Sequence, residues 1–211
     1  SYFFETNKKF YNNLLARLKI YKLRSDIEIN EVNNIHSYSV FNIDYKAENI
    51  VFLNDPRNIN LGKKLILDKE ILINDNEAIE INETEYHEIL IENTTPYSPF
   101  DILENKSLLL ENNFDNLNAI DWKKGCYVGQ EITARMKYRG LLKKRLYSLY
   151  LSKGEIEENR ELFVNNKKIG HIISKANSKI FAVLNIEFVN ELKKSSSQLT
   201  LDNSLVFDFL E

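Results

Sequence analysis

After Gly140 the sequence breaks into short apolar runs separated by polar turns: RLYSLYL, ELFVNN, KKIGHIIS, KIFAVLNIEFV and SLVFDFL. No other feature limits the fold as tightly. Runs of this length, punctuated every few residues, read as strands. Helical periodicity is not evident between 144 and 211. The spacing therefore predicts a small all-β domain over 144–211, of the barrel type. Asn165-Asn166 suits a tight hairpin turn, because asparagine tolerates positive φ.

The chain before that point is patterned differently. Phe10, Leu14 and Leu18 fall at i, i+4 and i+8, with Tyr11 and Leu15 beside them, which predicts an amphipathic helix over 6–20 capped by Thr6. IEINEV and SYSVF alternate like a pair of antiparallel strands. NIVFLND reads as a strand stopped by Pro56, with DPRN as its turn. KKLIL and EILIN predict two further strands, ETEYHEILIEN a short helix, and residues 95–99 a loop. With no βαβ repeat, residues 1–143 form an α+β region with an antiparallel sheet.

Composition removes several function classes. A single cysteine excludes an internal disulfide and points to a reducing compartment. One thiolate is too few for an iron–sulfur cluster or structural zinc held by this chain's sulfurs alone. His36, His87 and His171 are scattered without metal-ligand spacing. No window approaches the roughly 18 apolar residues of a membrane-spanning helix. The opening SYFFETNKKF lacks the basic-then-apolar order of a signal peptide, and its first residue is not Met, so an N-terminal part is expected to be missing.

Asp121 to Gly140, DWKKGCYVGQEITARMKYRG, gathers the only cysteine, tryptophan and methionine. Eight lysines and arginines against two acidic residues between 121 and 145 give +6, inside a chain of net charge −3. Charge alone reads as a solvated basic face; a local positive field also suits an anionic ligand. Gln130 to Tyr138 is expected to be a short helix, with Gly140 at its C-terminal cap, Ile132 and Met136 on one face, and Glu131 paired with Arg135. Cys126 would precede that helix, flanked by Lys123 and Lys124. A helix N-terminus and ammonium groups both favour a thiolate, so its pKa is expected to be depressed; a buried, inert thiol is the plain alternative.

KGCYVGQE, with Arg135 and Arg139-Gly140 following, resembles the signature of the YgfZ family. These folate-binding proteins are related to the glycine-cleavage T-protein and implicated in making or maintaining iron–sulfur proteins. LKIYKLRSDI, Asp55-Pro56-Arg57 with Leu61-Gly62, and Leu110-Glu111 followed by Asp115-Asn116-Leu117-Asn118 agree with it, as does Lys168-Ile169-Gly170 in the β-domain. Family members carry a further α+β segment before the helix at 6–20. The resemblance thus implies an N-terminally incomplete T-protein-like folate-binding region over 1–143, followed by a C-terminal barrel over 144–211.

The resemblance also implies a ligand, tetrahydrofolate or a one-carbon derivative of it, and residues to hold it. Glu111 is the carboxylate expected to accept hydrogen bonds from the pterin. Trp122 and Tyr127 suit packing against the ring system. Arg135 and Arg139 suit the carboxylates of the glutamate tail. Gln130 and Glu131 bind or fix the loop, and Cys126, with Lys124 beside it, is the functional thiol. Expected partners are folate and iron–sulfur proteins or their assembly factors, with no membrane. The expected location is the cytoplasm of a bacterium or the mitochondrial matrix of a eukaryote. The main rival is a folate-dependent aminomethyltransferase like the T-protein, which is expected to lack the cysteine signature. A nucleic-acid module on the +6 segment is the lesser rival, because the interleaved glycines suit a shaped pocket better than a charged stripe.

Overall fold

The computed structural model describes residues 2–33, 35–42, 51–67, 78–98, 100–125, 129–157, 160–195, 197–201 and 205–210. Its N-terminal part holds helix α1 (Tyr11–Lys22), a three-stranded antiparallel sheet of β1 (His36–Val40), β2 (Val51–Asn54) and β3 (Lys63–Leu67), and helix α2 (Glu83–Glu92). Helix α3 (Gln130–Tyr138) follows. The C-terminal part contains β4 (Lys144–Lys153), β5 (Glu161–Val164), β6 (Lys167–Ala176), β7 (Lys179–Asn185), helix α4 (Ile186–Lys194), β8 (Leu199–Leu201) and β9 (Leu205–Phe209).

The six C-terminal strands form one sheet in the order β5-β6-β7-β4-β9-β8, with every pairing antiparallel. Its end strands β5 and β8 approach each other, so the sheet is nearly closed and barrel-like. Register shifts at Leu151/Lys153, Leu162/Phe163 and Ile172/Ser174 bend the strands enough for that curvature. The β5–β6 hairpin turns on Asn165 and Asn166, at φ 50° and 62°, which is the paired positive φ that a two-residue turn demands. At Gly170 a Cβ would lie 2.1 Å from the Val183 carbonyl oxygen, so only glycine lets β6 and β7 approach this closely.

Strand β7 shows why the apolar runs do not alternate with polar residues. Ile180, Ala182 and Leu184 point into the barrel core with Leu149, Ile172 and Phe207. Phe181 and Val183 point the other way, into a second cluster with Leu146, Ile173, Ala176 and Ile91 of α2. Both faces of the strand are covered, so both take apolar residues. Helix α2 begins with a capping box, in which Asn82 and Glu85 satisfy each other's backbone N–H groups, and it buries His87, Leu90 and Ile91. A buried carboxylate adds a polar tie between these layers. Asp101 accepts from the Tyr97 N–H at 2.7 Å and from the Ser174 hydroxyl on β6, and lies 2.9 Å from His87 Nε2 on α2.

Four sequence expectations are corrected. KIFAVLNIEFV does not stay extended to Val189, and the 144–211 region is not all-β. Asn185 accepts from the Phe188 N–H at 3.2 Å and starts α4, whose Phe188, Val189 and Leu192 pack on the barrel core at helical spacing. IEINEV does not pair with SYSVF. Strand β1 pairs instead with β3, from His36↔Leu67 to Val40↔Lys63, because Leu65 and Leu67 of β3 offer a buried face. Asn7 takes the cap expected of Thr6, accepting from the Lys9 N–H at 2.9 Å ahead of a short 3-10 turn, Lys8–Phe10. Ile132 does not share Met136's buried face: it is 58% exposed, and Thr133 fills that side with Met136. The strand expected at EILIN lies outside the described residues. Among the described residues no helix is long and apolar enough to cross a membrane.

Candidate functional site

The site is built first on β4. Strand β9 pairs with β4 only from Leu149 onward, and this leaves the first residues of β4 for another partner. The turn at 111–113 takes that place. The Leu146 N–H donates to the Glu111 carbonyl at 2.7 Å, and the Asn113 side-chain amide donates to the Leu146 carbonyl at 2.8 Å. Arg145 secures the same turn through its guanidinium, at 2.9 Å from Asn113 Oδ1 and 2.8 Å from Asp115 Oδ2. Asn113 itself sits at φ 62°, a left-handed conformation that asparagine accepts more readily than most residues.

Glu111 is therefore fixed through its backbone, with its carboxyl half-buried. Burial pushes that carboxyl above its usual range, and the Lys144 ammonium offsets part of the effect. Next to it, Asn112 Oδ1 and Asp115 Oδ1 are buried with no hydrogen-bond partner among the described residues. One five-residue turn thus concentrates acceptor oxygens, which suits a ligand edge rich in N–H donors.

The three stretches around this turn meet in space. The Asn118 side-chain amide donates to the Pro56 carbonyl at 2.9 Å, joining the D-x-L-N run to the Asp55-Pro56-Arg57 turn. Asp55 accepts from the Arg57 backbone and guanidinium, 2.6 Å from Nη2 at the nearest. Gly62 closes this turn at φ 68°, where a Cβ would lie 2.2 Å from the Val40 carbonyl oxygen. Arg57, Tyr97, Phe114 and Leu117 then line a cavity of about 480 Å³ opposite Phe10 and Leu14 of the N-terminal helical segment.

The 121–140 segment has a second anchor. Asp121 Oδ1 accepts from the Lys123 N–H at 2.8 Å and shapes the approach. Trp122 is half-buried against α3: its ring lies 6.1 Å from Tyr138 in an edge-on arrangement, and the Lys137 ammonium sits 3.7 Å from its centroid. Gly129 at φ 91° opens α3, and Gly140 at φ 62° closes it, with the Leu141 N–H donating to the Met136 carbonyl at 3.2 Å. Glu131 and Arg135 pair on the exposed face at 2.5 Å, so the plain reading of Arg135 is realised. Lys124 and Arg139 are exposed, and Gln130 is half-buried. Cys126 and Tyr127 lie outside the described residues. The sequence reading grouped Glu111 with Trp122, but the first is tied to β4 and the second to α3. It missed Arg145, counted there only as charge, and Asn112. Their signal is positional, a polar turn facing the start of a strand, and it is invisible without the pairing.

No family model matches the chain. It is similar to curated proteins from distant eukaryotes. It is 28% identical over 174 residues to a protein of Dictyostelium discoideum, covering 74% of this chain and 43% of that protein. It is 32% identical over 142 residues to one of Mycosarcoma maydis, covering 65% and 35%, and 26% identical over 164 residues to one of Mus musculus, covering 72% and 45%. All three are named iron–sulfur cluster assembly factor IBA57 or its homolog, mitochondrial. The chain spans less than half the length of these relatives.

Proposed function

We propose that this chain is part of a tetrahydrofolate-binding protein of the YgfZ type, with a T-protein-like fold, that assists the biogenesis or repair of iron–sulfur proteins. The similarity to three mitochondrial iron–sulfur cluster assembly factors carries the assembly half of this reading. A mitochondrial matrix location goes with it, as do iron–sulfur proteins or their assembly factors as partners. Iron–sulfur clusters enter as cargo.

The acceptor-rich turn supports the folate half. Glu111 would take the N–H groups of the pterin edge, and the buried oxygens of Asn112 and Asp115 supply matching acceptors beside it. Trp122 and Tyr127 would cover the ring, and Arg135 and Arg139 the carboxylates of the tail, aided by Gln130 and Glu131. Tetrahydrofolate, when bound, supplies a carrier for one-carbon units. Cys126, with Lys124 beside it, is the one thiol available for transient contact with a partner or cluster, or for thiol chemistry.

The test is rescue of iron–sulfur enzyme activities in Dictyostelium discoideum cells lacking their own relative. The full-length protein that contains this chain should restore them, and its Cys126→Ser variant should not. Failure of the folded wild-type protein to restore them would contradict the assembly role.

A further inference from the structure

Arg145 lies outside the signature, and its guanidinium and its backbone neighbour both hold the turn that carries Glu111. We infer that Arg145 is a positioning residue, clamping the 111–115 turn on β4 so that the Glu111 carboxyl faces a donor-edged ligand. The inference rests on the folate reading of Glu111. Two guanidinium nitrogens span Asn113 Oδ1 and Asp115 Oδ2, at 2.9 and 2.8 Å, and the planar fork fixes both acceptors at once. The next residue, Leu146, completes the clamp with two backbone hydrogen bonds: its N–H donates to the Glu111 carbonyl and its carbonyl accepts from the Asn113 amide. Four hydrogen bonds therefore cross between residues 145–146 and 111–115.

Arg145 occupies one oxygen of Asp115; the other, Asp115 Oδ1, is buried with no hydrogen-bond partner among the described residues, as is Asn112 Oδ1 of the same turn. Lysine cannot reproduce this, because one ammonium cannot hold two acceptors in the fixed geometry of a fork. Among the described residues, Lys144 on β4 is the charged group that acts on the Glu111 carboxyl, while Arg145 and Asp115 pair with each other.

The experiment reads the clamp with and without a ligand. In the full chain, ¹³C NMR follows the titration of the Glu111 carboxyl, its signal assigned by loss in Glu111→Gln, and calorimetry gives the Kd for tetrahydrofolate. Arg145→Lys should move the Glu111 midpoint toward an ordinary carboxylate value and weaken tetrahydrofolate about tenfold, the size expected of one charged hydrogen bond. Asp115→Asn, which keeps the shape of the turn, should move both in the same direction and serves if the Arg145 variant does not fold. An unchanged midpoint in both variants would overturn the positioning role, whatever happens to affinity. A shifted midpoint with no tetrahydrofolate binding by the wild-type chain would overturn the folate reading and leave the clamp standing.

Discussion

A carboxylate held half-buried beside a lysine, like Glu111, leaves a signature in stability as well as in binding. Its folded pKa is raised above the ordinary 4.5 by burial, so in the window between the two values the native state binds more protons than the unfolded chain. Stability should fall as pH rises through that window, with the favourable state fully present below 4.5. Glu111→Gln should flatten this part of the curve, measured as urea midpoints from about pH 4 to 7. Asp55 has the opposite sign. Burial pushes its carboxyl up, but hydrogen bonds and the charge of Arg57 outweigh that and hold it below the usual range. Its contribution is present at neutral pH and lost as pH falls through its folded pKa.

Among elements, α3 shows what local sequence can and cannot specify. Its span and its Gly140 cap were legible, because both depend on residues within one or two turns. A Cβ at Gly140 would meet nothing within 4 Å, so Gly140→Ala should cost only the backbone strain of φ 62°, about 1–2 kcal/mol by urea denaturation. Which face of α3 is buried was not legible, since Ile132 and Met136 differ by what packs beside them. The hairpin at Asn165-Asn166 was legible for the same local reason. The partner of β1 was not, because β3 lies across a long connection and IEINEV alternates equally well. Helix α4 hid inside an apolar run that reads as strand until Asn185 caps it, and short apolar runs leave that choice open.

For the molecule as a whole, the Ile91 cluster and the Asp101 network hold α2, Tyr97 and Asp101 against the outer face of the barrel sheet. Asp101→Ala would leave His87, Ser174 and the Tyr97 N–H buried without their acceptor. At roughly 1–3 kcal/mol for each group, a loss of at least about 3 kcal/mol is expected by chemical denaturation, against little change for an exposed site such as Lys194. A loss under about 1 kcal/mol would show that the network is not a structural tie. The proposed ligand site was the least legible part in the sequence. Glu111 came from resemblance, and its surroundings became visible only when β4 was seen to leave its first residues for the 111–113 turn. Titration of the full chain with tetrahydrofolate, in wild type and Glu111→Gln, decides whether Glu111 holds a folate. Saturable binding that weakens tenfold or more in the variant is expected; no saturable binding, or an affinity unchanged in Glu111→Gln, would contradict that role.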